Sequence, residues 1–188
     1  RCGQTLRLDE LLMREIRLTV TAEDQRIAAL AALAVGLSLA EAALPSPLPG
    51  VKPGLANIIV LLVMMQHGFK TAAWVAVIRL LASSILLGFF LAPGFWLASA
   101  GTFASLSVMA LASRLPARWF GAVSVSVLMA FAHIAGQLLL AKYWLFAEAN
   151  LLLLMPVFAL GALVFGAVNG LIVARLIQTG AQKDTQNG

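Results

Sequence analysis

Six apolar stretches, each closed off by proline, glycine or charge, run through this chain between residues 27 and 177. The hydrocarbon core of a bilayer asks for about 20 apolar residues per helix, with a working range of roughly 17–25. The stretches cover 27–44, 54–66, 70–91, 95–112, 120–141 and 151–177. The breaks between them are PSPLPGVKPG (45–54), HGFK (67–70), APG (92–94), SRLPAR (113–118) and KYWLFAEAN (142–150), rich in residues that end helices or face water. Of the 188 residues 61% are hydrophobic and 11% charged, where soluble domains carry roughly 25% charged residues. Mean hydropathy is +0.94. The chain therefore reads as an all-α integral membrane protein of six transmembrane helices. A lead occupies 1–26, the membrane domain 27–177 and a tail 178–188.

The net charge of +5 does not indicate nucleic acid, because the cations gather at helix ends. The positive-inside bias explains them more simply. The second stretch is short, and a re-entrant hairpin is the alternative to a full crossing. Charge decides between the two. With six crossings, Arg14, Arg17, Arg26, Lys70, Arg114, Arg118, Arg175 and Lys183 share one side, and only Lys52 and Lys142 face the other. Without the second crossing the bias inverts. Both ends are expected on the cytoplasmic side of a bacterial inner membrane. No cleavable signal peptide is visible. Met13 opens MREIRLTVTAEDQ, an ordinary short lead, and residues 1–12 read either as an upstream extension or as part of a longer protein. The single cysteine, Cys2, provides neither an internal disulfide nor a cysteine metal cluster.

Arg79 lies within WVAVIRLLASSILLGFF. A cation at the centre of a membrane helix costs about 2.5–3.5 kcal/mol on the most lenient scale, so it faces a cavity or a partner. His133 and Gln137 are four apart on the fifth stretch and share a helix face. Asn57 opens the second, Lys52 precedes it, and Glu41 closes the first. These six residues fall between the midplane and the outer surface and are expected to line a polar cavity of positive bias, suited to a small anionic or phosphate-bearing ligand. Each has a plainer alternative. Arg79 could form a structural ion pair with Glu41, and His133 with Gln137 an interhelical clamp. Lys52 could snorkel to water. Asn57 could cap a broken backbone, and Glu41 could lie in solvent. Asn169 falls in the inner half and reads as a packing residue. Pro45, Pro47, Pro49, Gly50, Pro53 and Gly54 make a stiff connection that is either a lid over the cavity or a rigid turn. Ala28, Ala32, Gly36 and Ala40 give the first helix a face of small residues, and Gly166 and Gly170 repeat the spacing on the sixth. Such faces serve either internal packing or the docking of another membrane subunit.

No GxxxxGK[ST] phosphate loop is present. The aspartates are Asp9, Asp24 and Asp184, all outside the central membrane stretches, and no acids cluster at metal-ligand spacing. Neither a metal site nor an acid–base or nucleophile constellation stands out, so the chain alone is expected to be non-catalytic and without a cofactor.

PGVKPGLAN (49–57), the Arg79 that follows it and AHIAGQ (132–137) together resemble the Gx transporter family, also labelled heptaprenyl diphosphate synthase component I. The resemblance runs over about 26–177, and Pro53 stands where the family pattern carries Leu. It implies a six-helix bundle similar to the substrate-binding S components of energy-coupling-factor transporters. In those proteins the ligand sits in the outer half beneath the loop joining the first two helices. Small residues on the first helix, here Ala28, Ala32 and Gly36, dock a transmembrane coupling subunit driven by separate ATPases. The second label implies instead a non-catalytic membrane subunit of a polyprenyl diphosphate synthase with a soluble, aspartate-rich partner. A third implied role is membrane partner of a flavin- or quinone-linked electron-transfer assembly.

Overall fold

A computed structural model describes residues 21–44, 54–114, 121–145 and 155–186. Among them every regular element is helical: α1 (Ala22–Ala43), α2 (Leu55–His67), α3 (Phe69–Leu86), α4 (Pro93–Ala112), α5 (Ala122–Leu140) with a π-helical turn at Ala141–Leu145, and α6 (Met155–Gln186). Five are long and apolar enough to cross a membrane, and α2 is shorter.

The helix ends follow from local chemistry. Thr21 and Asp24 form a reciprocal capping box, so α1 starts before the apolar stretch begins. Gly88 stops α3. Its φ is +73°, its N–H donates to Ile85 O at 3.1 Å and the Phe89 N–H donates to Ser84 O at 3.0 Å. This is the Schellman arrangement, and it ends α3 short of the 70–91 stretch that the apolar pattern delimits. Pro93 starts α4, where its missing N–H costs nothing. α6 runs on through Gln186, so most of the polar tail expected over 178–188 continues the last helix.

α1, α2 and α3 pack together as one set, while α4 packs on α5 and α5 on α6. The sets join along α2 against α6 and α3 against α4. Ala34, Val60, Leu61, Val63, Val75, Met109, Val125 and Val173 are buried between the helices. The outer faces are apolar too. On α3, Trp74, Ile78, Leu81 and Ile85 point outward at helical spacing, with Trp74 67% exposed. Water does not tolerate such a surface over a whole molecule, whereas lipid does. α2 is the exception, because Ala56, Ile58, Ile59, Val60, Leu61 and Val63 are all buried. Its 13 residues reach about 20 Å at roughly 1.5 Å per residue, against a core of about 30 Å. A helix enclosed by its neighbours need not match the lipid thickness, and this accounts for its length.

Candidate functional site

The shortness of α2 sets its first residues at the depth where α3, α5 and α6 carry their polar side chains. Gly54 is the junction. Its φ of +71° is left-handed, a region that a side chain disfavours. A Cβ placed there would stand 3.3 Å from Asn57 Nδ2 and 3.5 Å from Asn169 Nδ2. The Gly54 N–H donates to Glu41 Oε1. Its carbonyl accepts from the Asn57 N–H at 2.8 Å and from Asn169 Nδ2 at 3.2 Å. One glycine thus ties α1, α2 and α6 together.

Arg79 Nη1 donates to Asn57 Oδ1 at 3.0 Å, joining α3 to α2. Glu41 is 7% exposed, which settles it as an interior residue, and its bond goes to Gly54. On the other side, Gln137 Nε2 lies 3.2 Å from His133 Nε2, and His133 Nδ1 lies 3.3 Å from Ser105 Oγ. The Ser105 hydroxyl donates its only hydrogen to Met129 O at 3.0 Å. Its oxygen can therefore only accept from His133 Nδ1–H, and Nε2 is turned to the Gln137 amide nitrogen. Gly101 makes room for the pair, since a Cβ there would lie 2.8 Å from His133 Nε2 and 2.9 Å from Gln137 Cγ.

Both clusters face one cavity of about 650 Å³ between the two helix sets. α1 contributes Ser38 and Glu41, α2 Asn57, α3 Arg79, α4 Thr102, α5 His133 and Gln137, and α6 Asn169. Leu80, Leu87, Phe89, Leu97, Leu138, Phe158 and Phe165 make the rest of the wall largely apolar. The arrangement has the form of a small-molecule site, with an apolar enclosure and a few convergent polar groups. Among the described residues no three metal-ligating side chains converge.

Five of the six residues singled out from the sequence, Glu41, Asn57, Arg79, His133 and Gln137, line this cavity. Lys52 and the connection Pro45, Pro47, Pro49, Gly50 and Pro53 lie outside the described residues. Gly54, read as part of a lid or of a rigid turn, caps α2. Asn169 is a correction: read as a packing residue, it lines the cavity and bonds the Gly54 carbonyl where α2 begins. Sequence reading missed Ser105 and Gly101, although their i, i+4 spacing on α4 mirrors that of His133 and Gln137. The small-residue faces divide. Gly166 and Gly170 pack internally, where added Cβ atoms would stand 2.9 Å from Val127 Cα and 2.5 Å from Val123 Cα. Ala28, Ala32, Gly36 and Ala40 face outward, and nothing lies within 4 Å of a Cβ at Gly36.

A family model described as heptaprenyl diphosphate synthase component I matches residues 30–176. No curated protein and no solved structure matches the chain.

Proposed function

The chain belongs to the heptaprenyl diphosphate synthase component I family, and from that premise we propose that it is a non-catalytic membrane subunit that holds a small amphiphilic ligand for a partner enzyme. The observation that carries the reading is the cavity between the two helix sets, about 650 Å³ with polar groups from all six helices. Lipid cannot satisfy those groups, and a ligand head can. Arg79, Asn57, Glu41 and Gln137 meet the head, His133 fixes Gln137, and the apolar walls take the body. Lys52 and residues 45–53 adjoin Gly54 in the chain and control access. The family name supports a synthase partner, which would bring the carboxylate clusters that magnesium and diphosphate chemistry need.

Mild-detergent purification from the native bacterial membrane, with mass spectrometry of associated proteins, tests this. A soluble prenyl synthase recovered in stoichiometric amount is the expected result. A second reading, uptake of the same ligand as an S-component-like protein, draws on the outward face of Ala28, Ala32 and Gly36. Recovery of ATPases with a large membrane subunit would favour it and overturn the synthase reading.

A further inference from the structure

The polar groups around the cavity constrain the charge of what it holds. Arg79 and Glu41 are the described wall residues carrying opposite full charges. His133 spends its Nδ1–H on Ser105, which has no second hydrogen to give, and turns Nε2 to the Gln137 amide nitrogen. Glu41 uses Oε1 on the Gly54 N–H, and a carboxylate has acceptor sites beyond one such bond. Arg79 uses one N–H on Asn57, and a guanidinium has five. The described walls thus present one cation with spare donors and one anion with spare acceptors, and their charges sum to zero.

From this we infer that the ligand's head is electrically balanced, either zwitterionic or a neutral donor–acceptor group, with its acceptor toward Arg79 and its donor toward Glu41. The described walls disfavour a diphosphate, which would set two or more negative charges beside the Glu41 carboxylate with one described guanidinium to offset them. The positive bias expected from the sequence includes Lys52, which lies outside the described residues. The inference rests on the ligand-binding reading above and narrows its ligand. The synthase partner, and not this subunit, would then hold the diphosphate.

The test uses the full chain in phosphatidylcholine nanodiscs and four probes with one apolar body: geranyl diphosphate, geranoic acid, geranylamine and N-geranylglycine. Binding is read by calorimetry. N-geranylglycine should bind at least tenfold more tightly than geranyl diphosphate. In Glu41→Gln, which keeps an acceptor for the Gly54 N–H, the preference should move at least fivefold toward geranoic acid. In Arg79→Gln it should move toward geranylamine. Opposite shifts from two variants are not a folding defect, and the wild-type series decides the matter alone if either variant fails to fold. Tightest binding by geranyl diphosphate overturns the inference while leaving the ligand-binding reading intact, and its loss in Lys52→Ala would identify the missing cation. Binding of none of the four overturns both.

Discussion

Arg79 was legible in the sequence because its cost in an apolar helix is large and nothing else in its stretch compensates it. Its partner was less so. Asn57 stands 22 positions away, and only the fold shows that its amide oxygen, and not the Glu41 carboxylate, takes the guanidinium bond. Removing that acceptor leaves a half-buried donor without its protein partner, a cost of about 1–3 kcal/mol. Asn57→Leu should therefore lower stability by about that amount in denaturant-induced unfolding in detergent micelles. Asn57→Asp, which keeps an oxygen for Arg79, should recover most of the loss. Equal destabilisation by both variants would mean that the bond contributes nothing. Ser105 and Gly101 could not be singled out in advance, because serine and glycine are ordinary in membrane helices. Their roles rest on a neighbour in another helix, His133, whose position no local pattern gives.

At the scale of helices, one motif has two outcomes. Gly36 on α1 and Gly170 on α6 both sit in four-residue repeats of small residues, and their spacing does not distinguish them. The structure does. Gly170 lies at the crossing with α5, where a Cβ would come within 2.5 Å of Val123 Cα, a backbone atom with no freedom to yield. Gly36 meets nothing within 4 Å. Gly170→Ala should destabilise the protein by about 1–3 kcal/mol through overpacking. Gly36→Ala should be neutral, or stabilise by up to roughly 1 kcal/mol from helix propensity. Thermal unfolding of the two variants in the same detergent checks the pair, and equal responses would contradict the assignment of faces. Helix boundaries were readable where a proline or charge marks them and misleading where the stop is conformational. The apolar letters continue past Leu86, but the left-handed Gly88 ends α3.

For the molecule as a whole, the count of six stretches and their order survive in the described helices, while depth does not follow from counting residues. α2 is short because protein surrounds it, and its first turn meets Asn169 of α6 through the Gly54 carbonyl. The charge bias predicts the side on which each end emerges. We expect both ends of the bundle on one side. Single cysteines at Gln25 and Gln178, both exposed, in a Cys2→Ser background should react together with a membrane-impermeant maleimide applied to inverted vesicles, and neither should react in intact cells. Labelling from opposite sides would mean an odd number of crossings and would remove α2 from the list of spans. The bond from Asn169 to Gly54 bridges 115 positions of chain. Biosynthesis delivers the first three helices, with Glu41, Asn57 and Arg79 already in the bilayer, long before α6 leaves the ribosome. Until then the Gly54 carbonyl lacks its side-chain donor and the cavity lacks a wall. A nascent chain that stops before residue 169 therefore displays unmet polar groups to lipid, the mark of an unfinished membrane protein. The wall of this cavity is therefore closed only by the last of the described helices, so a fragment lacking α6 is marked for removal by the groups it leaves open.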